Sequence, residues 1–184
     1  MTAARPDIAG AVPVLETERL RLRPLAEADL DALTAFYASD RARYYGDLAT
    51  RSEVWKQMAA FAGSWLLKGF GPWALEERET GRLAGLCGPW APPRFPEPEI
   101  TWALFDGFEG RGFAAEAARA ALDFAHGRLG WRTAVSCIHP DNARSIRLAE
   151  RLGARFDYAW DADGEPLHIY RHAGPGAGAR EAVA

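Results

Sequence analysis

The chain has 184 residues, of which 48% are hydrophobic and 26% are charged, and this size and composition are typical of one globular domain. The net charge of −3 argues against nucleic acid as the main partner, because the arginines are scattered among acidic residues. No stretch reaches the roughly 18 consecutive apolar residues of a membrane span, and the two cysteines make neither a disulfide framework nor a metal cluster. We therefore expect a cytoplasmic protein with no nucleic-acid, membrane or metal partner.

The two ends of the chain differ in composition from the rest. Residues 1–13 lack an apolar core and are expected to form a flexible arm, and residues 173–184 are rich in glycine and alanine and are expected to be disordered. The predicted domain is therefore residues 14–172.

The first predicted elements are a strand and two helices. Residues 19–23 alternate arginine with leucine, which predicts a half-buried strand with its arginines outward, and residues 26–37 have the spacing of a helix. Thr50 and Glu53 match a capping box that begins a second helix. Its apolar residues at helical spacing are Val54, Trp55, Met58, Phe61, Ala62 and Trp65.

Strands dominate the middle of the chain. Residues 73–77 and 83–90 are predicted strands, joined by a turn that contains Gly81. Five of the twelve prolines lie within residues 89–98, which predicts a stiff loop. Residues 99–105 resume as a strand.

A glycine-rich turn then leads into an alanine-rich helix. The predicted apolar stripe of this helix is Ala114, Ala118, Ala121, Leu122, Ala125 and Leu129. Residues 131–138 are a predicted strand. The next predicted helix is capped by Asn142 and ends at Gly153, and a hairpin turn at 161–164 precedes a last strand over 166–170. This order predicts one α/β domain with a mixed sheet.

The glycine turn has the chemistry of an anion site. Glycine lets the backbone approach a ligand closely, and the amides of Gly110, Gly112, Ala114 and Ala115 would gather at a positive helix end where Arg111 adds a charge. The alternative is a strand-to-helix turn that uses glycine only for tight packing. A P-loop and a dinucleotide fingerprint are excluded, because Gly-Lys-Ser/Thr and the third glycine are both missing.

Several motifs in this order resemble one family. They are the strand end Ala103-Leu104-Phe105, the run 109–117, the strand 135–138, and Asn142-Ala143-Arg144-Ser145 before Leu152-Gly153-Ala154. Together they resemble the GNAT superfamily of acetyl-coenzyme A-dependent N-acetyltransferases, and in particular the branch of ribosomal-protein N-terminal (alanine) acetyltransferases. Residues 15–25 are similar to the opening strand of that branch, so the resemblance covers about residues 14–171.

The resemblance implies a fold and a cofactor. The fold is a single α/β (α+β) domain with a mixed, mostly antiparallel sheet flanked by helices, in which the family's strands 4 and 5 splay apart. The cofactor is acetyl-coenzyme A. The residues implied to bind it are Leu104, Phe105, Gly110, Arg111, Gly112, Phe113, Ala114, Ala115, Asn142 and Ser145.

Glu109 and Asn142 lie in the motifs that carry the resemblance, and each carries a further expectation. Glu109 departs from the family's glutamine or arginine, and we expect its carboxylate to face away from the phosphates. Asn142 would contact the pantetheine arm or simply cap its helix, and the two roles are compatible.

Acetyl transfer from a thioester to an amine needs a neutral amine, a hydrogen-bond donor to the carbonyl oxygen, and departure of the thiolate. Glu99 is the predicted base, with Glu97 as its substitute, and the alternative is that Glu99 is a solvent-facing residue at a strand edge. Where many relatives carry a tyrosine that protonates the thiolate, this chain has Ala149, so Ser145, water or no group at all takes that role. An acyl-cysteine route through Cys87 or Cys137 is rejected, because neither has a histidine in view.

The predicted activity is acetyl transfer by direct attack of a primary amine, from a protein N-terminus or a small molecule, by a monomer or a homodimer. The alternatives are a coenzyme A-binding sensor or structural module without turnover, and a nucleotide-binding protein. Candidate residues for an aromatic acceptor pocket are Tyr44, Tyr45, Trp55, Trp90 and Phe95.

Overall fold

The computed structural model describes Gly10 and residues 12–174. Most of the predicted arm and tail therefore lies outside the described residues. Val12 is buried, and the Trp73 Nε1–H donates a hydrogen bond to the carbonyl of Pro13 at 2.8 Å. These two residues, which the sequence analysis placed in the arm, pack against the domain.

The described residues form eight strands and four α-helices. The strands are β1 (Leu15–Glu16), β2 (Leu20–Arg23), β3 (Trp73–Glu77), β4 (Leu83–Trp90), β5 (Glu99–Leu104), β6 (Ala134–Ile138), β7 (Arg155–Ala162) and β8 (Glu165–His172). The helices are α1 (Leu30–Tyr37), α2 (Arg51–Lys68), α3 (Phe113–Gly127) and α4 (Ala143–Arg151), with 3₁₀ turns at Glu27–Asp29 and Asp40–Ala42. No helix within the described residues is long and apolar enough to span a membrane.

All the strands join one sheet in the order β1-β2-β3-β4-β5-β6-β8-β7. Every neighbouring pair is antiparallel except β5 and β6, which are parallel and pair only at Glu99 and Val135 before they diverge. The predicted α/β domain with a mixed, mostly antiparallel sheet is confirmed. The strands β5 and β6 correspond to the family's strands 4 and 5, and their divergence is the predicted splay.

Local sequence signals set most of the element boundaries. Leu20 and Leu22 of β2 are fully buried, as their period of two predicts. Arg23, predicted to point outward, is instead half-buried, because its guanidinium binds Asp29 at 2.8 Å. Thr50 Oγ1 accepts the Glu53 amide at 3.2 Å, and the Glu53 carboxylate accepts the Thr50 amide at 2.9 Å, so the capping box begins α2.

The buried face of α3 differs from the predicted stripe. Its buried residues are Phe113, Ala117, Ala118, Ala121, Phe124 and Ala125. Ala114 and Leu122, which were predicted to be in the stripe, are only partly buried. On the observed face, Phe124 packs against Trp73 of β3, with the two ring centres 5.0 Å apart.

The last elements are a hairpin. Asp163 and Gly164 have φ of 58° and 92°, the left-handed values that a tight two-residue turn needs. The turn and β8 were predicted, but its partner β7 was not named. The strand β6 begins at Ala134, three residues later than predicted.

Candidate active site

The splay between β5 and β6 is bridged by side chains. The amide of Cys137 donates to Glu99 Oε2 at 3.0 Å, and the Ser136 hydroxyl donates to the carbonyl of Ile100 at 2.7 Å. These contacts replace the ladder hydrogen bonds that two diverging strands cannot make. The sheet therefore opens at a point where a carboxylate is held in place.

Two cavities meet at this opening. The large cavity, about 720 Å³, lies between residues 40–45, the end of β5, the glycine turn and α4. The small cavity, about 340 Å³, lies between α2, the proline-rich loop and strands β5, β6 and β8. Both are lined by Tyr44, Tyr45, Trp102, Asn142 and Ser145. A molecule in one cavity can therefore reach a molecule in the other.

The glycine turn presents unpaired amides at the start of α3. Gly110 and Gly112 have φ of 71° and 82°, which favours glycine over any residue with a Cβ. The hydrogen bonds of the described residues include none donated by the amides of residues 110–115. Gly110 and Ala114 line the large cavity. This end of the cavity suits an anion.

Arg111 does not add its charge to the large cavity. Its guanidinium forms an ion pair with Glu77 and lies 4.4 Å from the centre of the Phe113 ring. Its carbonyl accepts a hydrogen bond from Arg19 at 2.7 Å. The side chain points away from the predicted anion site, contrary to expectation, while a role for its amide stays a prediction.

Other arginines line the large cavity in its place. They are Arg41, Arg43, Arg144, Arg147 and Arg151. The last three lie three and four residues apart along α4, a spacing that places them on one helix face. That spacing was visible in the sequence, but nothing in the sequence alone showed which way the face would point.

Glu109 lines the large cavity, so the expectation that it faces away from this site is wrong. Its carboxylate forms an ion pair with Arg41. Partial burial opposes its ionisation, but its own amide, the charge of Arg41 and the amides of Gly107 and Phe108 together lower the pKa of Glu109. The carboxylate therefore stays ionised beside the glycine turn.

Apart from Arg111, the predicted cofactor residues divide into three groups. Those that line the large cavity are Leu104, Gly110, Ala114, Asn142 and Ser145. The side chains of Phe105 and Phe113 are buried in the core instead, 6% and 1% exposed. Gly112 and Ala115 belong to the same turn without lining the cavity, and their contribution through backbone amides stays a prediction.

Glu99 is a buried carboxylate that lines the small cavity. The solvent-facing alternative is therefore wrong. Burial raises the pKa of Glu99 to about 7, although hydrogen bonds from the amide and thiol of Cys137 and the charge of Arg94 oppose the rise. A carboxylate with this pKa exchanges a proton near neutral pH.

Glu97, the predicted substitute base, is already paired with an arginine. Its carboxylate binds the Arg171 guanidinium at 2.7 and 2.8 Å and accepts from the Tyr158 hydroxyl at 3.4 Å. The bonds to Arg171 lower the pKa of Glu97 despite partial burial. It is therefore a weaker base than Glu99.

Ser145 lies where the two cavities meet. Its amide donates to Asn142 Oδ1 at 3.2 Å, so Asn142 caps α4, and its hydroxyl accepts from Trp102 Nε1 at 3.2 Å. The Tyr45 hydroxyl donates to the carbonyl of Trp102, so its oxygen accepts the hydrogen bond from the Ser145 hydroxyl. Burial raises the pKa of Tyr45, so its phenol stays protonated at neutral pH.

Tyr45 and Trp102 were missed as partners of Ser145. Tyr45 follows the 3₁₀ turn Asp40–Ala42 and is separated from Ser145 by most of the chain, so no local spacing connects them. Ala149, where the family's tyrosine would lie, is fully buried and lines neither cavity.

The two thiols are poor nucleophiles. Burial raises the pKa of Cys87, and burial together with the charge of Glu99 raises the pKa of Cys137. Both are therefore protonated at neutral pH, which agrees with the rejection of an acyl-cysteine route.

The predicted aromatic pocket is partly present. Tyr44, Tyr45, Trp90 and Phe95 line the small cavity. Trp55 lies on the outer face of α2 with 50% of its surface exposed, so its assignment to the pocket is wrong. Helical spacing alone did not separate the inner from the outer face of α2, since both carry apolar residues.

Comparison with known proteins agrees with this geometry. Residues 19–155 match the family model described as an acetyltransferase (GNAT) domain. The crystal structure of an acetyltransferase from Agrobacterium tumefaciens str. C58 is similar, with 41% identity, a TM-score of 0.81, and coverage of 88% of this chain and 94% of that chain.

More distant proteins extend the comparison. An uncharacterized N-acetyltransferase, YoaA, from Bacillus subtilis (strain 168) is 28% identical over 77% of this chain and 82% of its own length. The ribosomal-protein-S5-alanine acetyltransferase from Vibrio fischeri has a TM-score of 0.69 at 13% identity, over 89% of this chain and 98% of that chain. At that identity the likeness concerns the fold alone.

Proposed function

We propose that this chain, which belongs to the GNAT acetyltransferase family, transfers an acetyl group from acetyl-coenzyme A directly to a primary amine of a protein N-terminus or of a small molecule. The observation that carries the proposal is the meeting of two cavities at Ser145, with an anion-binding turn beside one and the buried Glu99 in the other.

The large cavity fits the co-substrate. The unpaired amides of residues 110–115 suit a diphosphate, and Arg144, Arg147 and Arg151 of α4 offer further positive charge. The edge of β5 up to Leu104 and the Asn142 side chain would hold the pantetheine arm. Acetyl-coenzyme A supplies the activated acetyl group.

Glu99 is the proposed base. An amine reaches the active site mostly as an ammonium ion and must lose a proton before it can attack. Glu99 lines the small cavity, and with a pKa of about 7 it accepts that proton at neutral pH and above. The proton then passes to solvent through the mouth of the small cavity.

Ser145 and Tyr45 are the proposed donors to the leaving sulfur. Trp102 Nε1 donates to the Ser145 oxygen, and the one hydroxyl hydrogen of Ser145 is directed to the Tyr45 oxygen in this structure. The adjacent Tyr45 phenol is protonated and lines both cavities. Either hydroxyl would stabilise negative charge on the departing sulfur by turning from its present acceptor, which is the Trp102 carbonyl for Tyr45 and the Tyr45 oxygen for Ser145.

Release of free thiol from acetyl-coenzyme A, with and without a panel of amines, tests this function. We expect amine-dependent release in the wild type and strongly reduced release in Glu99→Gln, with the affinity for coenzyme A unchanged in calorimetry. Binding without thiol release across a broad panel would contradict the proposal and support a sensor or structural module.

A further inference from the structure

The part of the small cavity that is not shared with the large one has aromatic walls. These walls are formed by Tyr37, Phe61, Trp90 and Phe95. The rings of Phe61 and Trp90 meet edge to face, with their centres 4.9 Å apart, and Phe61 is only 8% exposed. The wall is therefore packed in advance, and it presents ring faces and edges to whatever enters.

The charges of the small cavity are few. Its carboxylates are Glu99 and Glu165, and Arg94 is the one arginine or lysine among the described residues that line it. Arg94 and Glu165 form an ion pair at 3.2 Å, and the Arg94 guanidinium also lies 5.2 Å from the centre of the Phe95 ring. The described residues give Glu99 no ion pair. The cavity therefore offers one carboxylate that no ion pair occupies, although the charge of Arg94 acts on it from a distance.

The volume limits what can enter. About 340 Å³ is at the lower end of the range for small-molecule pockets, roughly 300–1,000 Å³. That space suits an amine with a single ring. A second ammonium would find no second free carboxylate, and an α-carboxylate would have to displace Glu165 from Arg94.

We propose that the acceptor is a small primary monoamine with an aromatic body and no carboxylate, whose ring packs against the wall formed by Phe61, Trp90 and Phe95 while its nitrogen lies near Glu99. This inference rests on the proposed acetyl transfer and names the class of its substrate. An ammonium ion that enters is attracted by the ring faces as well as by the carboxylate.

Four small amines isolate each feature of this acceptor. They are 2-phenylethylamine, pentylamine without the ring, 1,5-diaminopentane with a second ammonium, and phenylalanine with a carboxylate. We expect kcat/KM for 2-phenylethylamine to exceed that for pentylamine by about tenfold, which corresponds to about 1.4 kcal/mol of ring packing. Phenylalanine should fall below 2-phenylethylamine by at least about tenfold, since its carboxylate lacks a free partner.

Variants test the walls. Phe95→Ala should reduce the ratio of the two kcat/KM values, 2-phenylethylamine over pentylamine, toward one, and Trp90→Ala should do the same. A ratio is used because general damage to the fold lowers both values together. The matched control is Trp55→Ala, since Trp55 is 50% exposed outside the cavity, and its ratio should equal that of the wild type.

The Arg94–Glu165 pair gives an independent test. Glu165→Gln frees Arg94, so we expect the ratio of kcat/KM for phenylalanine to that for 2-phenylethylamine to rise. Adding Arg94→Gln to the same variant should remove the gain.

The outcomes separate this inference from the proposed function. A preference for pentylamine, phenylalanine or a peptide amide beginning with alanine would overturn the acceptor class and leave acetyl transfer standing. The last case would indicate a protein N-terminus instead. No thiol release with any amine, while calorimetry still detects acetyl-coenzyme A binding, would overturn both.

Discussion

Replacing Glu99 by glutamine tests the base and the cost of its burial together. The amide has nearly the same shape, and its oxygen can still accept the Cys137 amide that now donates to Glu99 at 3.0 Å. The change removes the ionisable group alone. Because a positioned base contributes about 10²–10⁴-fold, we expect kcat/KM at pH 8 to fall by about 100-fold or more.

The pH profile follows from the pKa. A base must be deprotonated to act, so wild-type kcat/KM should rise with pH around an inflection near 7, where burial places the pKa of Glu99. In Glu99→Gln this inflection should disappear from the residual activity. An unchanged inflection in the variant would assign it to another group.

The free energy of unfolding of the wild type should fall with rising pH, over the range in which its activity rises. The pKa of Glu99 is raised in the folded protein from its ordinary 4.5 to about 7, so between these values the folded state binds one more proton than the unfolded state. Stability from this residue therefore falls as pH rises through that window. At about 1.4 kcal/mol for each tenfold change in the ionisation constant, the loss reaches ~3 kcal/mol above pH 7.

Chemical denaturation at several pH values measures this cost. Glu99→Gln should be more stable than the wild type at pH 8, by up to ~3 kcal/mol, and nearly equal to it at pH 4. The control is Glu97→Gln, which loses the Arg171 ion pair and should be slightly destabilised at pH 8 with little loss of activity. Equal activity of Glu99→Gln and wild type at pH 8 would refute the reasoning.

Three further substitutions test the large cavity and the leaving group. Gly112→Val forces a branched residue into φ of 82°. Calorimetry should therefore show that the variant binds acetyl-coenzyme A at least about tenfold more weakly. Gly127→Ala, at the other end of α3, is the control and should bind it as the wild type does. Arg147→Ala should weaken binding about threefold and reduce its salt dependence, whereas the exposed Arg119→Ala on α3 should not. Tyr45→Phe should lower kcat by about tenfold through one lost hydrogen bond, and the defect should shrink with a thioester of a more acidic thiol.

Where a boundary depends on neighbours in the chain, the sequence predicted it well. The Thr50 hydroxyl and the Asn142 side chain both cap their helices as expected, because a cap is decided within three residues. The hairpin between β3 and β4 was placed for the same reason, since Gly81 has φ of 67° in its turn.

Where a side chain points depends on distant residues, and there the predictions were less complete. Arg111 turns toward Glu77 and Glu109 toward Arg41, and both partners are far away in the chain. Trp55 has the helical spacing of a core residue but lies on the outer face of α2. The pairing of Tyr45 with Ser145 is likewise a product of the folded topology.

The two halves of the site are therefore built in different ways. The proposed anion-binding turn is one continuous stretch whose role would depend on backbone conformation. Its glycines are therefore recognisable in the sequence, and substitutions there should weaken the binding of every coenzyme A thioester alike. The acceptor cavity takes its walls from α2, the proline-rich loop and the β7–β8 hairpin, which are far apart along the chain. We expect changes to any one of these segments to alter the choice of acceptor without disturbing the turn, because among the described residues the two cavities share only Tyr44, Tyr45, Trp102, Asn142 and Ser145.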